Sequence, residues 1–285
     1  MQSMSLFIYT ETSLHAGTGS TVSVVDLPIQ RERTTNYPMV QGSGIKGALR
    51  SQASLSDDDK AILFGPDTES LRTSSTNNAS AGAISVGDAR IVLFPIRSLM
   101  GVFAYATCPH VLSRLKRDVP SFDLAIPTPP NDESALVTTK TDLKAGNSVV
   151  LEEFSFKAES DPKVDSIAQW LAANALPQGE EYTYWRKKLL SSLVILPDNA
   201  FKDFVTTSTE IVTRVRLDTA KKTVAEGALW TQEALPSDTL LMSRILLSDR
   251  NLNVTPEAAV QSFGSRIQIG GDETTGDGFV ALKWL

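Results

Sequence analysis

The hydrophobic pattern changes repeatedly between strand and helix periods, and this alternation most restricts the folds available to the chain. Up to Arg117, apolar runs typical of strands alternate with helical stripes that open at a serine or a proline. The predicted elements are strands over residues 6–13, 84–96 and 102–107, and helices from Ser43 (N-cap) to Ala53 and from Pro109 to Arg117. Strand, helix, strand, strand and helix form most of a ferredoxin-like βαββαβ unit, so the sequence predicts an α+β fold.

Regular patterning is interrupted after residue 119 and resumes at residue 238. The later predicted elements are strands near Leu151–Phe156, Thr209–Leu217 and Leu240–Leu247, helices near Val164–Ala175, Tyr184–Ile195 and Pro256–Phe263, and two strands around a C-terminal glycine loop. We therefore predict one domain over residues 1–285, in which residues 1–119 and 238–285 form the ferredoxin-like part and residues 120–237 an insertion. Residues 65–82 are polar and low in complexity, which predicts a mobile surface segment.

Composition excludes several classes of protein. The only cysteine is Cys108, so the chain cannot form an internal disulfide or a thiolate metal cage. The N-terminus lacks a basic signal region, and no apolar run approaches the ~20 residues that cross a bilayer, so we expect a soluble, cytoplasmic protein. The net charge of -6 argues against indiscriminate coating of nucleic acid, so any RNA site must be a local patch.

Residues 30–50 reverse the charge balance, because four basic residues there stand against one acid. The four are Arg31, Arg33, Lys46 and Arg50. Lys46 and Arg50 are four residues apart and share one face of the predicted helix, near first-turn N–H groups that favour anions. This pattern predicts an anion site. The alternative is a solvated cationic face.

Glycines lie beside the basic residues of this patch and also within a loop near the C-terminus. Gly42, Gly44 and Gly47 would let a sugar-phosphate chain approach the helix, although the segment is not a P-loop, because Gly47 follows Lys46. Residues 270–278 (GGDETTGDG) precede a strand instead of a helix, so they are not a dinucleotide fingerprint. A hairpin turn and a calcium loop remain alternatives, and the three acids would need a neighbour such as Lys46 to tolerate phosphate.

His15 and Asp26 occupy a long irregular stretch between residues 15 and 39, and neither lies on an apolar face. A free aspartate, with a pKa near ~3.9, is a poor general base at neutral pH, so position or a metal must help Asp26 if it is catalytic. The alternative for Asp26 is a turn residue before Pro28. Phe103 and Tyr105 alternate on one predicted strand and could stack on RNA bases or lie in the core.

Three segments together carry a family resemblance. They are residues 13–32, which hold His15 and Asp26, residues 38–50 (PMVQGSGIKGALR), which are close to the element P-x-I-P-G-S-S-I-K-G-x-L-R, and the glycine loop 270–278. In order and spacing they resemble the RAMP superfamily of CRISPR proteins, and within it the backbone (fourth) subunit of Cmr-type (type III-B) effector complexes. The resemblance extends over nearly the whole chain.

The resemblance implies an RRM-like palm and a β-hairpin thumb supplied by the insertion. It also implies copies stacked helically along a guide (CRISPR) RNA, with other Cmr subunits and a target RNA as partners. The aspartate matching Asp26 would cleave target RNA at regular intervals with a divalent metal ion, Mg²⁺ or Mn²⁺, for which Asp26 is the candidate ligand. Residues 227–236 (GALWTQEALP) resemble the element G-x-L-W-Y-E-E-x-L-P, with Thr231 and Gln232 replacing tyrosine and glutamate.

We therefore predict an antiviral endoribonuclease subunit that binds guide RNA and cuts the paired target. The candidate catalytic residues are Asp26, His15 and Glu226, and the candidate RNA-binding residues are Arg31, Arg33, Ser43, Lys46, Gly47, Arg50, Gly271, Gly276 and Gly278. The alternatives are a non-catalytic backbone subunit, a guide-processing RAMP ribonuclease with His15 as base, and an unrelated nucleotide-binding enzyme.

Overall fold

The computed structural model describes residues 2–20, 24–66, 81–217, 221, 223–248 and 255–285. Most of the polar segment 65–82 lies outside these ranges. The strands are β1 Gln2–Thr10, β2 Met39–Val40, β3 Ile84–Val86, β4 Ala89–Arg97, β5 Phe103–Thr107, β6 Ser134–Val137, β7 Lys144–Ala145, β8 Ser148–Leu151, β9 Phe154–Ser160, β10 Leu193–Ile195, β11 Glu210–Leu217, β12 Val224–Ala234, β13 Leu240–Leu247, β14 Arg266–Gln268 and β15 Phe279–Trp284. The helices are α1 Gly42–Gln52, α2 Asp57–Phe64, α3 Pro109–Asp118, α4 Pro162–Asn174, α5 Thr183–Ser192, α6 Asp198–Thr207 and α7 Pro256–Ser262, with 3₁₀ turns at Glu180–Tyr182 and Glu273–Thr275.

One large mixed sheet and one separate hairpin contain these strands, so the predicted α+β class is confirmed. The sheet order is β14-β15-β1-β13-β4-β5-β10-β6-β9-β8-β7, with β2 on β4 and β3 on β13, while β11 and β12 form a separate two-stranded sheet with no other named strand of the described ranges. Its neighbouring strands β15, β1, β13 and β4 are all antiparallel. The chain passes from β1 through α1 to β4, and from β13 through α7 to β15. Strand β13 lies between β1 and β4. A ferredoxin-like unit built from the consecutive predicted elements would have β5 in that position.

The sheet is covered on both faces, because alternate residues of β1 enter two different cores. Leu6 and Ile8 pack with Ile45 and Leu49 of α1. Phe7 and Tyr9 pack with residues of α3 and α4. Tyr105 of β5 is fully buried in this second core, and Phe103 lies under the Lys188 ammonium of α5 at 4.5 Å. Tyr105 is therefore a core residue that cannot stack on RNA bases, and Phe103 is half-buried against the same core, which favours the core alternative.

Three predicted elements differ from those observed. The single strand expected near Leu151–Phe156 is divided by the turn of the β8–β9 hairpin, where Glu152 has a φ of 47°. The helix expected to reach Ile195 ends at Ser192, and the chain continues as β10, which pairs parallel with β5. The strand expected over residues 84–96 is interrupted at Gly87 and Asp88. Among the described helices, none has the length and apolar character to cross a membrane.

Candidate functional site

Asp26 is held at the protein surface by one residue of β12. The backbone N–H and the hydroxyl of Thr231 both donate to Oδ2 of Asp26, at 2.7 and 2.9 Å. The backbone N–H of Asp26 donates to Oγ1 of Thr231 at 3.0 Å. The hydrogen bond from the Thr231 backbone, followed by that from its hydroxyl, holds the pKa of Asp26 below its ordinary value. The carboxylate is therefore ionised at neutral pH and is better suited to orient a donor or hold a cation than to accept a proton.

The segment after Asp26 is fastened to the same strand through Glu233. This carboxylate accepts from the backbone N–H of Ile29 at 3.0 Å, from the guanidinium of Arg31 at 2.5 Å and from the hydroxyl of Thr209 at 2.8 Å. Arg31 also donates to the carbonyls of Asn36 and Val205. Because its guanidinium faces protein acceptors, Arg31 holds the loop in place and is a poor candidate for binding phosphate.

His15 lies beneath this loop with only 9% of its surface exposed. Its Nδ1 is 2.6 Å from the carbonyl oxygen of Glu233, and since a carbonyl only accepts, Nδ1 carries the proton. The other ring nitrogen, Nε2, faces Gly17 so closely that a Cβ there would approach it to 2.6 Å. His15 lies on an irregular stretch, as expected, but its burial does not resemble the position of an accessible general base.

The glycine loop packs on the other side of His15. The N–H of Gly271 donates to the carbonyl of His15 at 3.0 Å, and the N–H of Gly278 donates to the carbonyl of Ser13 at 2.8 Å. Gly278 has a φ of 80° and no room for a Cβ beside Ile269, so only glycine fits there. Gly271 is exposed and Gly276 is partly exposed, which leaves both accessible to a ligand.

Two of the three acids of the glycine loop contact the hairpin. Asp277 forms an ion pair with Arg214 of β11 at 2.5 Å, and Asp272 accepts from the amide of Gln232 at 2.5 Å. The expected partner, Lys46, makes neither of these contacts. Gln232, which replaces a glutamate in the family element, therefore joins the glycine loop to β12. A glutamate at this position would face the carboxylate of Asp272.

The basic patch lies on α1, and Gln30 connects the Asp26 loop to the start of that helix. Oε1 of Gln30 accepts from the N–H of Gln41 at 2.7 Å, while α1 begins at Gly42 and not after an N-cap at Ser43. The carboxylate of Asp88 accepts from the N–H of Gly42 at 2.8 Å and takes the place of the predicted serine cap. Part of the predicted first-turn anion site is therefore filled by the protein's own carboxylate.

Gly42 is buried against the backbone of Val86 and does not open the helix to a ligand, whereas the rest of this face of α1 is accessible. Ser43, Gly44 and Gly47 are exposed, and a Cβ on either glycine would meet nothing within 4 Å. Partial burial, followed by the positive charge of Arg50, lowers the pKa of Lys46, so these two cations lie close together. Arg50 donates to the carbonyl of Gly65 at 2.5 Å, whereas no carboxylate among the described residues pairs with Lys46.

Two further candidates make no contact with Asp26 among the described residues. Arg33 is exposed and has no partner within the described ranges. Glu226 lies near the beginning of β12, five residues before Thr231, which is about 16 Å along an extended strand. The side chain of Glu226 is outside the described part of the structure. The chain fold thus brings together Asp26, His15 and the glycine loop around the second half of β12, and separates Glu226 from them.

One carboxylate oxygen of Asp26 makes no polar contact with the part of the chain that the structure describes. Within the described ranges Oδ1 has no hydrogen-bond partner, and no three side chains of His, Cys, Asp or Glu are grouped as metal ligands there. Mg²⁺ commonly binds through one or two carboxylates together with substrate phosphates and water. One exposed, ionised carboxylate oxygen therefore fits a divalent ion that is shared with RNA, but not a metal site built by protein alone.

Comparisons with known proteins match the chain from end to end. The sequence profile of the RAMP superfamily matches residues 7–281. The chain is 39% identical to the CRISPR system Cmr endoribonuclease Cmr4 of Pyrococcus furiosus over 292 residues, which cover 96% of this chain and 93% of that protein. The crystal structure of oligomeric Cmr4 from Pyrococcus furiosus has a TM-score of 0.73 at 33% identity, covering 100% of this chain and 99% of that one. A chain in the cryo-EM structure of type III-B Cmr-beta bound to cognate target RNA shares the fold, with a TM-score of 0.73 at 24% identity over 100% of this chain and 97% of that one.

Proposed function

The chain belongs to the RAMP superfamily, and on that premise we propose that it is the guide-RNA-binding backbone subunit of a Cmr-type (type III-B) CRISPR complex that cleaves target RNA. In this role copies of the chain stack along the guide, together with other Cmr subunits, in the cytoplasm. The proposal is carried by the exposed Asp26 carboxylate, because β12 fixes one of its oxygens and leaves the other unused. The 39% identity to a protein named an endoribonuclease, over 96% of this chain, supports it.

The chemistry we propose is a transesterification within the target strand. The 2′-hydroxyl oxygen of one ribose bonds to its own phosphorus as the bond to the 5′ oxygen of the next nucleotide breaks. The products are a 2′,3′-cyclic phosphate and a 5′-hydroxyl, because the 2′-oxygen loses its proton to solvent and the leaving 5′ oxygen takes one from solvent. Asp26 orients the 2′-hydroxyl by accepting its hydrogen bond through Oδ1. A divalent ion bound to Asp26 and the RNA would supply charge neutralisation at the phosphate.

We further propose that the strands around β1 form a ferredoxin-like, RRM-like palm and that β11 and β12 form the thumb. The antiparallel order β15-β1-β13-β4, with α1 and α7 as the two crossovers, supports the palm. The pairing of β11 with β12 alone supports a projecting hairpin. On this division residues 1–119 and 238–285 are the palm, and residues 120–237 are the insertion that ends in the thumb.

Guide binding should depend on Lys46 more than on any other cation of α1. We expect Lys46→Ala to weaken guide binding and to make its salt dependence shallower by about 0.7, the slope of one phosphate contact on single-stranded RNA. Lys163→Ala is a matched control, because Lys163 is an exposed lysine on α4. Binding constants measured across a salt series test this, and an unchanged slope in the Lys46 variant would place the guide elsewhere. Arg50 is a less clean probe, since it also holds the carbonyl of Gly65.

The function itself is tested by incubating the assembled protein and guide with a labelled complementary RNA, with and without a chelator. We expect a ladder of products at regular intervals in Mg²⁺ or Mn²⁺, no products in chelator, and recovery when metal is restored. A non-complementary RNA should stay intact. Full cleavage in chelator would show that the reaction needs no divalent metal ion. A target that stays intact although the guide is bound would favour a non-catalytic backbone subunit. The alternative of a monomeric guide-processing ribonuclease is disfavoured by the burial of His15.

A further inference from the structure

We propose that Thr231 is the positioning residue of Asp26, and that it holds Oδ2 so that Oδ1 alone is offered to the RNA. This inference rests on the proposed function, because it assigns a role within the same cleavage reaction. It adds a residue that acts through Asp26 and does not itself touch the target strand.

The contact between the two residues is reciprocal. Thr231 donates twice to one carboxylate oxygen, through its backbone N–H and its hydroxyl, and its hydroxyl oxygen accepts from the N–H of Asp26. The backbone and the carboxylate of Asp26 are thus both tied to a single residue. A carboxylate held at only one point would rotate about χ1 and χ2, whereas this arrangement restricts both torsions. The hydroxyl proton of Thr231 is used by Oδ2, so the hydroxyl has no donor left for a substrate.

The backbone around this contact is also fixed. The N–H of Leu27 donates to the carbonyl of Thr231, and the N–H of Glu233 donates to the carbonyl of Leu27, both at 3.0 Å. Leu27 therefore pairs with β12 as a short parallel bridge. Glu233 then holds Ile29 and Arg31 beyond it. A shift of Asp26 away from Thr231 would break the backbone hydrogen bonds between Leu27 and β12. These bonds therefore keep the carboxylate in a fixed position relative to the strand.

The length of the threonine side chain matters for this role. A hydroxyl on Cβ lies next to its own backbone, where it can accept from and donate to a neighbouring strand residue at once. The phenol of a tyrosine at this position would place its hydroxyl beyond the ring, too far from its own N–H to share Oδ2 with it. This chain therefore fixes its aspartate through a device that requires a serine or threonine at residue 231.

The test compares Thr231→Val, which keeps the β-branched shape and removes the hydroxyl, with Thr231→Ser, which keeps the hydroxyl. We expect the single-turnover cleavage rate at saturating target to fall about tenfold in T231V, as for the loss of one hydrogen bond to a charged group, and to stay within about twofold in T231S. The dissociation constant for target RNA should be unchanged in both. Thr213→Val is the matched control, because Thr213 pairs with Thr231 across the hairpin.

The outcomes separate this inference from the proposed function. If T231V cuts at the wild-type rate while Asp26→Asn is inactive, Thr231 has no positioning role and the proposed function stands. If Asp26→Asn still cuts, the proposed function itself fails. Equal losses in T231V, T231S and T213V, or a loss of target affinity with an unchanged saturated rate, would also overturn the inference. If T231V fails to assemble, Thr231→Ala removes the same hydroxyl, and its cleavage rate can be compared with that of T231S in the same way.

Discussion

Asp26→Asn should abolish target cleavage and leave guide binding and assembly close to those of the wild type. Asparagine keeps the size of the side chain, and its carbonyl oxygen can still accept from the backbone and hydroxyl of Thr231. The charge that would hold a cation or attract the 2′-hydroxyl is lost. Because Asp26 is exposed and forms no ion pair among the described contacts, its neutralisation removes no charge partner on which the fold depends.

Single-turnover cleavage and guide affinity, measured on the same preparation, check this expectation. We expect no cleavage above background and a guide dissociation constant within about twofold of the wild type, which corresponds to less than about 0.5 kcal/mol. A variant that fails to bind guide or to assemble would make Asp26 a structural residue. A variant that still cuts would move the chemistry to another side chain.

Arg31→Ala should produce the largest loss of stability among the basic residues of the patch. Its guanidinium is 15% exposed and pairs with Glu233, whose carboxylate is 7% exposed. Removing Arg31 leaves the Glu233 charge buried without a cation and with only the Ile29 N–H and the Thr209 hydroxyl as donors. Breaking a buried ion pair in this way costs about 3–5 kcal/mol. We expect the lower end, about 3 kcal/mol, because both groups retain some exposure. The melting temperature should fall by roughly 5–10 °C for a chain of this size.

Arg33→Ala is the matched control for this loss. Arg33 is two residues away, is exposed and has no partner within the described ranges, so its removal should leave the melting temperature within about 1 °C, as surface substitutions usually do. The melting temperatures of the two variants, measured by thermal unfolding of the isolated subunit, test this difference. If Arg31→Ala melted like wild type and instead weakened guide binding, Arg31 would contact RNA, and the Glu233 ion pair would contribute little.

Local patterning predicted the elements well where an apolar run was bounded by clear stop signals. The strand Leu240–Leu247 matches the prediction at both ends, and α7 begins at the predicted Pro256. The β8–β9 hairpin was missed because Glu152 and Glu153 carry no glycine or proline, so two apolar runs looked like one strand. The position of β13 between β1 and β4 could not be predicted locally, since such pairing depends on contacts across more than a hundred residues.

The site was also predicted only in part, because its contacts join residues that are far apart in the sequence. Family resemblance pointed to Asp26 and the glycine loop, and both lie against the second half of β12. The resemblance singled out residues 227–236 but gave no role to Thr231 or Glu233, because their partners lie about two hundred residues earlier in the chain. Arg31 looked like a phosphate ligand on charge alone, and its inward position depends on the buried carboxylate of Glu233. Charge counting cannot distinguish an arginine that faces a carboxylate from one that faces solvent.

The central claim is that each cut in the target is made by the Asp26 of one copy of this chain. Complexes assembled from mixtures of wild-type and Asp26→Asn subunits test it most directly, with the rate of appearance of every product band measured against the fraction of variant. The account predicts that each band slows in proportion to that fraction, that the cut positions do not move, and that the ends carry a cyclic phosphate and a 5′-hydroxyl. Bands that persist unchanged in complexes built entirely from the variant would contradict it.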